Sequence, residues 1–224
     1  MKARWIALTL TLMLAAYALL RVTTLDLLIA VGSAALLLAV GRRSGLSWAD
    51  LGLARTTLAR GVRWALVSAA VVAAGYVIVA ITPLHVLLED SRFDDGWRDA
   101  VWRAAVIVPL GTVFMEEIAF RGVLWSQLRS RWSTAWATAG SSLIFGVWHA
   151  LPALRFAETN EGAESVASGT LAVIGTVIVT MLVTAAAGIV LCELRRRSDS
   201  LIAPIGLHWA ANAFGVLAVA AVAS

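Results

Sequence analysis

The sequence predicts an all-α fold, a polytopic integral membrane helical bundle of about seven transmembrane helices, and two observations carry that reading. Hydrophobic residues make up 60% of the 224 residues and charged ones only 14%, with a mean hydropathy of +0.85, outside the range of soluble globular chains. Apolar runs bounded by charge then recur at 5–20, 22–40, 64–82, 104–125, 136–154, 169–192 and 201–222, each close to the roughly 20 residues that cross a bilayer. Little chain is left for a soluble domain. The whole reads as one membrane domain in two parts, N-terminal spans with an interfacial segment at 1–63 and a core at 64–224.

The first run follows Lys2 and Arg4 and contains the small-residue pattern Ala16-Tyr17-Ala18, which fits either a signal peptide or a retained span. Its length favours retention. The second run ends at Arg42 and Arg43. After it, the stretch from Arg42 to Arg63 contains SWADLGL, where Trp48 is an aromatic anchor and Asp50 sits beside Leu51 and Leu53. That pattern reads as an interfacial stretch or as a solvated linker. The run at 64–82 leads into an acidic loop with Glu89, Asp90, Asp94, Asp95 and Asp99, and a second acidic loop carries Glu158, Glu161 and Glu164, with a flexible GAESVASG at 162–169.

If the runs alternate, Lys2, Arg4, Arg42, Arg43, Arg55, Arg60, Arg63, Arg129, Arg131 and Arg195 to Arg197 all fall on one side and these acids on the other. The positive-inside rule then places the N-terminus in the cytoplasm and the C-terminus outside. A pI near 10.2 does not imply nucleic acid, because the arginines flank apolar runs and form no basic stripe interleaved with aromatics. Lys2 is the one lysine, a bias that points to a GC-rich prokaryotic genome and hence to a plasma membrane. Cys192 is the one cysteine, which rules out an intrachain disulfide framework.

The fourth run holds FMEEIAFRGVLW, with Glu116, Glu117 and Arg121 in apolar surroundings. Each such charge near the bilayer centre costs about 2.5–3.5 kcal/mol, so they need partners and usually mark function. Glu117 and Arg121 are four apart, on one helix face, and can form an ion pair. Glu116 lies about 100° round the helix and points elsewhere. One carboxylate is thus structural and one chemical, unless all three belong to a network that only fixes packing.

Two histidines fall in later runs. His149 follows Phe145 by four residues, and His208 precedes Asn212 by four, so each pair shares a helix face. Two histidines, an asparagine and two glutamates on three spans make a candidate polar pocket, whereas His85 stands apart. At 1.5 Å per residue, Glu116 lies about 13 Å from the inner end of its run and His208 about 10 Å from the start of its own. His149 matches that depth if its span begins near 140. This places the pocket below the midplane, open to the cytoplasm.

The ordered series EExxxR (Glu116, Glu117, Arg121), FxxxH (Phe145, His149) and HxxxN (His208, Asn212) resembles the CAAX protease and bacteriocin-processing family, whose eukaryotic members are the type II CAAX prenyl endopeptidases. The DLGL stretch at 50–53 is similar to a segment that often precedes that core. The resemblance covers about 100–220 and implies an intramembrane endopeptidase acting near the cytoplasmic face on a peptide or membrane protein, with 64–224 as the protease core. It implies that Glu116 and His149 activate a water, that His208 and Asn212 donate to the developing oxyanion, and that Arg121 holds Glu117. Glu116, His149 and His208 also match a zinc ligand set by type. Yet no HExxH motif is present and a glutamate mechanism requires no cofactor, so zinc or another divalent metal stays conditional. A proton-coupled transporter lacks support in any inverted repeat, and a catalytically silent scaffold or peptide-toxin immunity protein would not need every motif position. No nucleic acid is implied, and the partners are the substrate and the lipid bilayer.

Overall fold

A computed structural model describes residues 2–22, 25–88, 96–159 and 170–223, and among them every regular element is helical. The helices are α1 (Lys2–Val22), α2 (Asp26–Arg43), α3 (Leu58–Ile81), α4 (97–129), α5 (Thr134–Trp148), α6 (Ala150–Thr159), α7 (Thr170–Ser198) and α8 (Ile202–Ala223). Four of them, α1, α3, α7 and α8, are long and apolar enough to cross a membrane. The other three apolar runs form helices that miss that standard for physical reasons. α2 reaches 18 residues only by including Asp26, Arg42 and Arg43, α4 carries the buried charges, and α5 has 15 residues. The chain is a helical integral membrane protein. The acids at 89–95 and at 161 and 164, and the GAESVASG stretch, lie outside the described residues.

α4 is the central helix. From Met115 to Leu128 every residue is buried except the half-buried Ile118, so the other helices wrap it on all sides. That location resolves the cost of its charges, since they face protein and not lipid. The helix is also widened twice, over Arg103–Val113 and Ile118–Leu124, on either side of an ordinary turn at Phe114–Glu117. In the wide stretches hydrogen bonds reach five residues back, as from Phe114 N–H to Pro109 O and from Trp125 N–H to Phe120 O. Pro109 lies in the first stretch, where its missing donor and its ring disturb the normal ladder. Such wide turns are frequent at functional sites.

The arginine-bearing segments at 44–60, 125–130 and 195–199 gather at one end of the bundle. There the 44–57 segment folds back as a plug, with Ser47 to Asp50 exposed and Leu51 and Gly52 buried. Ser47 N and Oγ donate to Asp50 Oδ2 at 2.8 and 2.6 Å, and Asp50 N donates to Ser47 Oγ at 3.0 Å, while Leu51 is fully buried. Gly52 adopts a φ of +76°, and a side chain there would strike the Arg195 guanidinium, so glycine satisfies both the turn and the close approach. Its carbonyl accepts from Leu201 N at 2.8 Å, tying the plug to the start of α8.

α1 joins the same core: Met13 and Ala16 are buried, and Thr9 Oγ1 donates to Gln127 Oε1 at 3.0 Å. α3 packs along α8, and α5 along α7.

Candidate active site

The site grows from the ordinary turn of α4 between its two wide stretches. Glu117 and Arg121 are both fully buried, and Arg121 Nη1 donates to Glu117 Oε1 at 2.9 Å, the pair that their spacing predicts. A buried guanidinium needs more than one partner, and the second is aromatic: its central carbon sits 4.0 Å from the Phe145 ring centroid. Phe145 of FxxxH is thus a plate between the arginine and the two histidines. Its ring meets His149 edge-on at 4.6 Å and His208 at 5.8 Å.

His208 crosses from α8 to the same carboxylate. Its Nδ1 lies 2.8 Å from Glu117 Oε1, and its Nε2 faces Glu116 Oε2 at 3.8 Å, too far for a direct hydrogen bond. An ionised carboxylate only accepts, so the Nδ1 proton points at Glu117 and Nε2 is turned toward Glu116. This is the carboxylate–imidazole arrangement that fixes one tautomer and one ring orientation.

Glu116 does point away from Arg121, as the 100° rotation requires. Trp148 Nε1 donates to its Oε1 at 2.8 Å, while Oε2 is buried with no hydrogen-bond partner. The sequence reading missed Trp148. The available signal was chemical: a half-buried indole has one donor and must find an acceptor, and Trp148 directly precedes His149.

His149 sits at the break between α5 and α6. Its amide bonds back to Gly146 O at 3.0 Å, which frees Phe145 O to accept from His149 Nδ1 at 2.8 Å. The proton is thus on Nδ1 and the Nε2 lone pair is available. Pro152 enforces the break, because it lacks an N–H and is tolerated only in the first turn of α6. This is why α5 stops at Trp148 and the apolar run does not continue as one helix to 154.

Glu116, Trp148 and His149 line a cavity of about 650 Å³, walled also by Tyr17 of α1, Asp26 of α2 and Thr112 of α4. The first two helices therefore form part of the cavity wall. Asp26 was not flagged in the sequence, since it stands at the edge of its apolar run. The cavity reaches the exposed residues Leu25, Asp26 and Leu28, at the end of the bundle away from the arginine-rich loops. Toward the arginine end the core is closed by the fully buried Leu37, Leu51, Val123 and Leu124.

Asn212 does not join the cluster. It is exposed, has no hydrogen bond among the described residues, and is absent from the cavity wall. One helical turn carries it about 6 Å beyond His208. Among the described residues no group of three or more His, Cys, Asp or Glu side chains is disposed to hold a metal ion. His208 Nδ1 is engaged with Glu117 and His149 Nδ1 with Phe145 O, which leaves each Nε2 free, and no step below runs through a metal.

The family model described as type II CAAX prenyl endopeptidase Rce1-like matches residues 98–214, from the start of α4 to the middle of α8. The chain belongs to the type II CAAX prenyl endopeptidase Rce1-like family. No curated protein and no solved structure matches the chain. The matched stretch holds all of Glu116, Glu117, Arg121, Phe145, Trp148, His149 and His208, so this Rce1-like chain is an integral membrane member of a protease family.

Proposed function

We propose that this chain is an intramembrane endopeptidase in which Glu116 is the general base and Glu117 positions His208. The observation that carries the reading is the division between the two carboxylates: Glu117 is held by Arg121 and His208 through Oε1 and stands off the cavity wall, whereas Glu116 lines the cavity; each keeps an Oε2 without a partner. Of the two carboxylates, Glu116 is the one that meets the cavity and can accept a proton from a water held there.

In the proposed step, a water loses a proton to Glu116 Oε2 as its oxygen attacks the peptide carbonyl carbon. The carbon–nitrogen bond then breaks, and the proton passes to the leaving amine. Protonated Glu116 finds an acceptor in His208 Nε2 once the 3.8 Å gap closes. His149 offers its Nε2 lone pair from the cavity wall and orients the water, while Trp148 fixes the Glu116 carboxylate. Asn212 is assigned to the substrate, as an exposed amide one turn beyond His208.

Under the positive-inside rule the arginine-rich end is cytoplasmic, the N-terminus lies inside and the C-terminus outside. The cavity mouth then faces the outer side, and the substrate is a membrane-associated peptide or protein segment that reaches it from there. The apolar wall, with Leu20, Leu27 and Ile107, suits such a segment.

The experiment is cleavage of a quenched-fluorescence peptide library by detergent-purified protein, wild type beside Glu116→Gln, with and without a strong chelator. Cleavage that survives chelation in the wild type and vanishes in the variant supports the metal-independent base. Chelator-sensitive cleavage overturns it, and an inert wild type would turn the reading toward a silent scaffold.

A further inference from the structure

A second cavity, of about 700 Å³, lies at the arginine-rich end, walled by the plug segment and the ends of α4 and α7. It shares no lining residue with the Glu116 cavity. Two guanidiniums flank one indole there: Arg129 lies 4.8 Å and Arg195 5.6 Å from the Trp125 ring centroid, and Trp125 itself is 1% exposed.

Neither arginine has an acidic partner among the described residues. Arg195 is 3% exposed. Its Nη2 donates to the carbonyls of Ala49 and Asp50 at 3.2 and 2.8 Å, and its Nε has no partner at all. A buried cation without a direct ion pair is costly, and a second guanidinium on the same ring adds repulsion. The wall carboxylates, Asp50 accepting from Ser47 and Asp199 paired with Arg60 at 2.7 Å, attract Arg195 at longer range but make no ion pair with either arginine.

We propose that this cavity binds a phosphate group, held by Arg129 and Arg195 with the wall hydroxyl of Thr56 as a further donor. Guanidinium pairs suit phosphate because their forked donors match its oxygens. Trp5 also lines the cavity, and tryptophan at a helix end marks headgroup depth, which points to the phosphate of an anionic phospholipid; free phosphate shares the chemistry. The inference is independent of the proposed catalysis.

The test is a thermal-shift titration of the full chain in a maltoside detergent at fixed ionic strength. One arm uses inorganic phosphate and the other short-chain phosphatidylglycerol, each with wild type, Arg129→Gln and Arg195→Lys. Arg129 is exposed, so its variant is expected to fold. Saturable stabilisation of the wild type, weakened roughly tenfold in apparent affinity in Arg129→Gln, is the expected result. Saturation by the lipid at far lower concentration than by phosphate identifies a headgroup site, and equal potency identifies a site for free phosphate. The absence of a saturable shift in either arm, or a shift unchanged in Arg129→Gln, overturns the proposal.

Discussion

His208 Nδ1 lies 2.8 Å from Glu117 Oε1, the same oxygen that Arg121 Nη1 reaches at 2.9 Å. One carboxylate oxygen therefore organises α4 and α8 together. Because that oxygen holds a cation and an imidazole proton at once, Glu117 is needed as an ionised anchor, and the adjacent Glu116 is left for chemistry.

The two glutamates should accordingly fail in different ways. Glu116→Gln keeps an oxygen for Trp148 Nε1, so the unfolding temperature should barely move while cleavage falls by about 10²-fold or more, the usual range for a lost general base. Glu117→Gln leaves the fully buried Arg121 without its counter-ion, at a cost of about 3–5 kcal/mol. Thermal unfolding in detergent, run beside the cleavage assay, checks both. Equal destabilisation by the two variants would contradict the division of roles.

Trp148→Phe removes one donor while keeping an aromatic ring against Tyr17 and Phe120, whose centroids lie 4.5 and 5.6 Å from the indole. A hydrogen bond to a charged group contributes about 1.5–3 kcal/mol. Cleavage should fall roughly tenfold, mainly in kcat, with a small change in stability. Measured kcat and KM for one good library peptide decide it; a pure KM effect would make Trp148 a substrate contact instead.

The Glu117–Arg121 pair was legible because both ends lie on one helix, where a spacing of four fixes the geometry. The Glu117–His208 contact spans 91 positions, and sequence spacing places His208 on a face of α8 without saying what that face meets. Asn212 stays apart from the cluster for the same reason: the four-residue step is right along α8, but it does not say what that face meets one turn on, where Asn212 is exposed. The position of the cavity mouth in the bundle was not legible, because counting from helix ends assumes a level bundle. Leu51, at the tip of the folded plug, closes the arginine end, and nothing in the sequence of SWADLGL alone shows it turning inward.

The plug also predicts an acid response. The Ser47 hydroxyl, with the Ser47 amide and the charges of Arg129 and Arg195 adding to it, holds the Asp50 carboxyl below its ordinary value of 3.8, against a smaller effect of burial. A depressed folded-state pKa means stability that is present above the unfolded value and lost as pH falls through the folded one. Asp50→Asn should therefore be less stable than wild type near neutral pH, and the gap should close below the ordinary carboxylate range. The group is exposed, so solvent screening keeps the effect small. Unfolding temperatures of both proteins across an acid series test it, and a gap that stays constant with pH would remove Asp50 as its source.

Gly146 offers a test that links packing to chemistry. A side chain there would meet Met181 O of α7 at 2.5 Å and Ala185 Cβ at 3.0 Å, and the first of these is backbone that cannot swing aside. Small residues let membrane helices approach this closely, so Gly146→Ala must push α5 off α7. Overpacking of this kind costs about 1–3 kcal/mol, but the displacement falls between Phe145 and Trp148, one of which plates Arg121 while the other holds Glu116. The loss of cleavage should therefore exceed what the fraction unfolded explains. Gly175→Ala, on α7 where a new methyl meets nothing within 4 Å, is the matched control and should leave both properties unchanged. If Gly146→Ala lowered the unfolding temperature while the folded fraction kept full activity, the α5 side chains would tolerate misplacement, and the positioning roles of Phe145 and Trp148 would have to be abandoned.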